Sequence, residues 1–312
     1  MKNLLAYMDS DLIGNVDDST DYLVREILKN HSQELSVQVS GDANPELAKD
    51  YDVVLCRFDI PLKTKFLEDV AKYDDGSRLF INPPLSKLEY SDKGYLERFI
   101  GSDIIPETLI SDDPSQLAQF IQDIRGEGYD LVSKPIDGNG GRGIYKLSRV
   151  KGSVKDSEIY IGSEKKAGLE DIAMDLTSNG TNQIVLQRFL DGIEKYGDTR
   201  VNTVFYEPAS AIVRLPKEGS FKGNISSGAS SDKIELIERD YEIIDQVKPF
   251  LEETRGTWVG IDIIGSNSGR YFGEVNFSSP GNLYEADSVN GNKKGVEFLI
   301  QRIKDWRPKK WL

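Results

Sequence analysis

The stretch Trp258 to Ser279, WVGIDIIGSNSGRYFGEVNFSS, constrains this chain more than any other. Apolar β-formers alternate with small or polar residues on both sides of a Gly/Asn/Ser cluster, which predicts two strands joined by a turn at Gly265 to Gly269. Val259, Ile261 and Ile263 share one face of the first strand and Asp262 takes the other. In the second, Val275 and Phe277 face inward, while Glu274 and Asn276 share the opposite face. Asp262 and Glu274 lie symmetrically about residue 268, so they are expected to sit across from each other. Two anions that close repel unless neutralised. The pattern therefore calls for a hard divalent cation with oxygen ligands, Mg²⁺ with bound phosphates being the usual occupant. A solvated polar face is the plainer reading of the same alternation.

Composition removes several alternatives. A net charge of −13 over 312 residues argues against a general nucleic-acid surface, which needs a concentrated basic patch. The start, MKNLLAYMDSDLIG, turns polar too soon for a signal peptide, and no later run approaches membrane-spanning length, so a cytoplasmic protein is expected. Cys56, the single cysteine, lies in the strand-like YDVVLCRF and reads as a core thiol. His31, the single histidine, leaves no His-based zinc site or hydrolase triad to build.

Residues 1–90 alternate strand-like and helix-like segments, a βαβ rhythm that predicts a small parallel sheet covered by helices. Ligands bind beyond the carboxyl ends of such strands. Those ends carry Asp9, Ser10, Arg57, Asp59 and Asn82, which become candidate substrate contacts, although each taken singly is more often a cap or turn former. Further helices are expected over Ser86 to Ile100, Ser115 to Arg125 and residues 232–254. Strands are expected at IPETLI, YDLVSKP, NQIVLQRFL, KYGDTRVNTVFY and ASAIVRLPKEG, and SSPGNLYEAD reads as a loop before a closing helix.

The second informative stretch is KPIDGNGGRGI, Lys134 to Ile144. Gly138, Gly140, Gly141 and Gly143 let backbone N–H groups fold around an anion, and Lys134 ends the preceding strand where it can meet a phosphate. Gly138, Gly140 and Gly143 also satisfy G-x-G-x-x-G. A dinucleotide site would need that motif to open a helix, whereas IYKLSRV after it reads as a strand. A P-loop needs G-K-[ST], and a kinase needs H-R-D and D-F-G; none is present. What remains is nucleotide phosphate under a mobile hairpin. Downstream, Arg200 in KYGDTRV and Arg214 in AIVRLP suit a site that must orient carboxylate and phosphate oxygens, and Asn224 lies in a second loop, FKGNISSGA.

In this order, the glycine hairpin, the strand lysine, NQIVLQRFL, the two arginines and D-x(11)-E-x-N resemble the ATP-grasp superfamily, and within it the bacterial type of glutathione synthetase. LCRFDIPLKTKF, INPPLS, IPETLI, DTRV, RLPKEG, GNISSG and VGIDIIG extend the resemblance through most of the chain. The resemblance implies an α/β (α+β) ATP-grasp fold. Residues 1–90 would form a small parallel α/β domain, 91–190 a lid subdomain with the glycine loop, and 191–312 a C-terminal subdomain with the metal hairpin, the last two sandwiching ATP. It implies that Lys93 and Lys134 contact ATP phosphates, that Gly138, Gly140, Gly141 and Gly143 close over them, and that Gln187, Arg188, Phe189 and Leu190 line the adenine pocket through backbone groups. Asp262, Glu274 and Asn276 would hold two Mg²⁺, with Mn²⁺ as a substitute. Arg200, Arg214 and Asn224 would attend the transferring phosphoryl group and the substrate carboxylate.

The implied reaction is carboxylate–amine ligation through an acyl phosphate, with ATP, a dipeptide carboxylate and an amino acid as partners; the sequence leaves the oligomeric state open, a homo-oligomer being one option. γ-Glutamylcysteine and glycine are the first substrate pair. A ligase for another amino acid or peptide pair, and a non-catalytic nucleotide binder, are the alternatives. Two departures touch the substrate end. Family members carry Arg just before the G-N of the second glycine loop and again shortly after it, where this chain has Lys222 and SSDKIE. Near the start, the family's basic residues give way to Val16, Asp17 and Asp18.

Overall fold

A strand that is apolar on both faces is stable only in a sheet covered on both sides, and the first strand is one. β1 (Lys2–Met8) carries five consecutive buried residues. A computed structural model describes residues 1–9, 13–15, 18–41, 43–57, 64–138, 141–150, 158–162, 164–225, 228–277 and 281–308. In it β1 is followed by α1 (Ser19–Asn30), β2 (Leu35–Ser40), β3 (Val53–Arg57), α2 (Thr64–Ala71) and β4 (Leu79–Ile81), and the four strands form a parallel sheet in the order β2-β1-β3-β4. Leu5, Tyr7, Val54 and Cys56 pack with Phe66, Leu67 and Val70 of α2. Burial pushes the Cys56 thiol up to about 12, so it is an inert core thiol.

A short helix, α3 (Pro84–Glu89), and a 3₁₀ turn over Gly94–Phe99 lead to the second sheet. The continuous helix expected over Ser86 to Ile100 is broken between them. Asp92 Oδ1 accepts from Gly94 N at 2.8 Å, and Lys93 N donates to Ile136 O at 2.8 Å, so the backbone there is committed away from a helical ladder. β5 (Thr108–Ser111), α4 (Pro114–Gly126), β6 (Leu131–Pro135), β7 (Tyr145–Ser148), β8 (Glu158–Tyr160), α5 (Lys166–Leu176) and β9 (Ile184–Arg188) follow, with strand order β5-β9-β6-β7-β8. α4 and α5 cover this sheet through Leu117, Ile121, Leu169 and Ala173. β6 and β7 pair antiparallel across the glycine loop, as the strand, loop, strand reading requires.

The third sheet follows α6 (Ile193–Tyr196). It contains β10 (Asp198–Val204), β11 (Glu207–Leu215), β12 (Ser230–Lys233), β13 (Trp258–Ser266) and β14 (Gly269–Asn276) in the order β12-β11-β10-β13-β14, with α7 (Glu238–Glu253) before the final hairpin. The helix expected over 232–254 starts only at Glu238, because Asp240 accepts from Ile237 N at 2.9 Å and caps it there, while residues 230–233 pair with β11. Ile243, Val247, Phe250 and Leu251 of α7 pack with Tyr95, Phe99, Val259, Ile261, Ile263 and Phe272 in one core. The chain closes with α8 (Leu283–Asn290) and α9 (Lys294–Asp305). α8 lies where SSPGNLYEAD reads as a loop: Leu283 and Ala286 are buried three residues apart, and that contact outweighs the local turn chemistry. Of the tail RPKKWL, only Arg307 and Pro308 belong to the described residues.

α9 returns to the first sheet, packing Val296, Leu299 and Ile303 against Leu4, Leu23 and Ile27. Lys2 caps its last turn, donating to Ile303 O at 2.8 Å and Lys304 O at 2.6 Å, and also to Trp306 O. A cation there answers the carbonyls that every helix leaves unpaired. Lys2→Met is therefore expected to lower unfolding free energy by about 1–2 kcal/mol, read from urea midpoints. An unchanged midpoint would show that water serves those carbonyls equally well. Among the described residues no helix is long and apolar enough to cross a membrane.

Candidate active site

The hairpin places its carboxylates as the alternation predicts. Asp262 on β13 pairs with Glu274 on β14, and a bulge immediately after Asp262 lets Gly273 slip out of register. Val259, Ile261 and Ile263 are wholly buried and Val275 and Phe277 nearly so, which leaves Asp262, Glu274 and Asn276 on the other face. The strands run to Ser266 and from Gly269, so the turn is only Asn267 and Ser268. Asn276 Nδ2 lies 3.3 Å from Asp262 Oδ2 and 3.4 Å from Glu274 Oε1. Tyr95, which the sequence reading assigned no role, fixes the backbone between the two ligand candidates: its hydroxyl accepts from Val275 N at 2.6 Å.

Asp262 is not a bare anion. Arg200 Nε and Nη2 reach its two oxygens at 2.5 and 3.0 Å, and Arg214 Nη2 is 3.0 Å from Oδ2. The register explains this, because β10 lies between β11 and β13 with Arg200 paired to Asp262 and Asp198 paired to Arg214. Burial opposes charge on Asp262, yet the two guanidiniums outweigh it and hold the carboxyl below the ordinary value. Asp198 goes the other way. Burial pushes it up to about 6 although Arg214 also bonds its Oδ2. Its Oδ1 is buried with no hydrogen-bond partner among the described residues, which leaves it able to accept from a donor.

Across a cleft bordered by both carboxylates stand the phosphate candidates. Lys134 on β6 donates to Gln187 Oε1 at 2.6 Å, and burial pulls its ammonium below the usual lysine value while Glu274 opposes that. Lys93 Nζ is 3.7 Å from Glu274 Oε2 and also donates to Gly138 O, so it links the glycine loop to the hairpin. Gly141 adopts φ +74°, and a Cβ there would come within 2.8 Å of Asn224 Oδ1. The two glycine-rich loops therefore meet at a point where a side chain does not fit. Lys93, Lys134, Gly138, Gly141, Gln187, Arg188, Phe189, Leu190, Asn224, Asp262 and Glu274 all border this cleft. Gly143 lies in the loop at φ +69°, while Gly140 lies outside the described residues.

One end of the cleft is apolar. Val132, Phe189, Ile193 and Phe221 form a cluster with Ile144 and Ile264, and the Phe221 ring meets Phe189 edge-on at 5.6 Å. Phe221 was missed at the sequence level. Its only signal there is an aromatic residue inside an otherwise polar, glycine-rich loop.

The substrate edge of the first sheet differs from expectation. Asn82 is buried with both ends of its amide in use, taking Trp258 N at 2.9 Å and donating to Phe277 O at 3.0 Å, so it staples the sheet to the hairpin and is not open to substrate. Arg57 is 3.2 Å from Asp18, whose other oxygen caps α1 through Thr20 N and Asp21 N. Asp9 N donates to Arg57 O at 3.3 Å. Ser10, Asp59, Val16 and Asp17 lie outside the described residues.

Two carboxylates and an amide oxygen are the donor type that a hard cation takes. The Asn276 amide nitrogen faces both carboxylates, at 3.3 and 3.4 Å, so the Asp262 and Glu274 oxygens fit such a cation and the Asn276 oxygen joins them once its amide is turned over, with phosphate oxygens or water completing the shell. Among the described residues no group of three or more His, Cys, Asp or Glu side chains is arranged for a metal.

Three sheets, with a glycine loop on one facing a carboxylate hairpin on another, define an ATP-grasp ligase, which couples ATP cleavage to amide formation and releases ADP. Residues 92–291 match the family model for the prokaryotic glutathione synthetase ATP-grasp domain. Glutathione synthetase of Escherichia coli O6:H1 is 31% identical over 279 residues, covering 86% of this chain and 80% of the relative. The fold is shared with D-cycloserine synthetase (TM-score 0.65, 14% identity, 96% of this chain and 99% of the other). It is also shared with D-alanine–D-alanine ligase from Bacillus anthracis (TM-score 0.59, 15% identity, 97% of each). The chain belongs to the prokaryotic glutathione synthetase family.

Proposed function

We propose that this ligase joins γ-glutamylcysteine to glycine. The observation that carries the ligase chemistry is the facing of Lys134 and Lys93 toward the Asp262–Glu274 pair across one cleft. The choice of substrates rests on the 31% identity that spans most of the chain. ATP would lie with its base against Val132, Phe189, Leu190 and Phe221 and its phosphates between Lys134, Lys93 and the glycine loop. Asp198 Oδ1 would accept a hydrogen bond from the ligand. Glu274, Asn276 and Asp262 would hold Mg²⁺, which when bound neutralises phosphate charge. Arg200 and Arg214 would add fixed positive charge behind Asp262.

The chemistry needs such a site because a carboxylate is a poor electrophile. A carboxylate oxygen attacks the terminal phosphorus and ADP leaves. The amine then attacks the acyl carbon, phosphate leaves, and a proton is lost from nitrogen. Positive charge around the cleft lowers both barriers, and the glycine loop keeps water from the acyl phosphate.

ADP release measured over a panel of carboxylate and amine pairs tests this reading. The best turnover is expected with γ-glutamylcysteine plus glycine, and a clear preference for another pair would replace that assignment. One observation favours such a pair: Asp18 already neutralises Arg57 at the edge where a dipeptide would bind, and Lys222 borders the cleft from the second loop. Lys134→Ala is expected to weaken ATP binding about 10- to 100-fold, the loss of one charge-assisted hydrogen bond. An unchanged nucleotide Kd would remove Lys134 from the phosphate site.

A further inference from the structure

The second sheet has its own core, and it meets the third sheet through Val185, Ile110 and Ile136, which pack into the third sheet's core, and through Val132 and Phe189, which cluster with Ile264. The angle between the sheets matters, because Lys134 rides on β6 of one sheet and Glu274 on β14 of the other. At the cleft mouth the Arg188 side chain adds a polar link between the two. Arg188 ends β9, the neighbour of β6, and its Nε pairs with Glu107 Oε2 at 2.5 Å. Its guanidinium lies 5.0 Å from the ring centre of Tyr129, on its own sheet's side, and 5.7 Å from that of Tyr271 on β14. Tyr271 is three residues before Glu274, and its hydroxyl donates to Ser268 Oγ at 3.3 Å. Arg188 is directly followed by the chain crossing between the sheets, where Asn267 N donates to Asp191 O at 2.8 Å.

We propose that Arg188 is a positioning residue for the ligase reaction: its guanidinium, held between Tyr129 and Tyr271, pins the lysine-bearing sheet to the strand that carries Glu274. The inference rests on the reading that nucleotide phosphates lie between Lys134 and Glu274. Only a planar cation can lie against two rings while paired with a carboxylate, so lysine is not an equivalent. Glu107 holds the guanidinium from the lysine side, and Tyr271 is its contact on the other sheet. The shared apolar packing keeps the sheets together, so losing either half of that contact loosens the cleft mouth, and a displacement of about 1 Å between reacting groups there is enough to cost on the order of 100-fold in rate. Because the cores and the apolar packing between the sheets stay intact, the loss falls on turnover more than on folding.

The test compares wild type with Arg188→Lys, Tyr271→Leu, Tyr271→Phe and the Arg188→Lys/Tyr271→Leu double variant. It measures kcat for ADP release, Kd for Mg-AMPPNP and thermal midpoint. Arg188→Lys and Tyr271→Leu are each expected to lower kcat about 10- to 100-fold, to weaken Mg-AMPPNP binding, and to leave the midpoint nearly unchanged. Tyr271→Phe, which keeps the ring but loses the hydroxyl that interacts with Arg188, should fall between wild type and Tyr271→Leu. The double variant should be no worse than either single change, since both remove one contact. Full kcat in Arg188→Lys, multiplying effects in the double variant, or a midpoint that falls in step with activity overturns the proposal. A wild type that binds Mg-AMPPNP but turns over no substrate pair overturns the proposed substrates instead, and the pin is then judged by the nucleotide Kd of the same variants. A wild type that binds no nucleotide overturns both.

Discussion

Replacing Glu274 by Gln is expected to lower ADP release by about 1,000-fold or more while the thermal midpoint stays close to wild type. The physical reason is that Glu274 is the carboxylate in the site with the fewest structural commitments. Its side chain is 31% exposed, its contact to Lys93 is 3.7 Å long, and Asn276 approaches it only at 3.4 Å. A glutamine fills the same space and loses one negative charge, which removes attraction for Mg²⁺ without stranding a buried ion. The pair of measurements is decisive: turnover within tenfold of wild type in the presence of saturating Mg²⁺ would take Glu274 out of the metal site.

Asp262→Asn is expected to lose turnover as well, but here stability falls with it, by about 3 kcal/mol, the scale found when one partner of a buried ion pair is removed. The loss is expected because Asp262 anchors both Arg200 and Arg214 in a nearly dry interior. The sign of the pH dependence follows. A carboxyl held below its unfolded value contributes stability that is present above that value and lost as pH falls through the lower, folded one. The wild-type advantage over Asp262→Asn should therefore persist at neutral pH and shrink only in acid below the ordinary carboxylate range. Equal urea midpoints at pH 7 would show that the arginines do not depend on Asp262.

The two variants separate roles that the alternation in WVGIDIIG and YFGEVNF makes look alike. From the sequence, Asp262 and Glu274 are symmetric about a turn. In the folded chain both border the cleft, but Asp262 is buried and locked between guanidiniums while Glu274 stays partly exposed. The difference comes from β10 and β11, whose residues Asp198, Arg200 and Arg214 reach Asp262 only because the strand order puts β10 next to β13.

What the sequence by itself determined is whatever depends on local period and local chain freedom. Strict alternation fixed the hairpin and its two faces, the glycines fixed a loop between β6 and β7, and the βαβ rhythm fixed a parallel first sheet, since each follows from neighbours a few residues apart. Only the tertiary structure decided what those side chains face. Asn82, which the sequence places at a substrate edge, is consumed by Trp258 and Phe277, some 176 and 195 residues away. Ser86 to Ile100 stops being one helix because Ile136 claims the Lys93 amide, and Phe221 joins the cleft wall through Phe189. In each case the deciding energy is a contact between distant segments, and no window of sequence contains both partners.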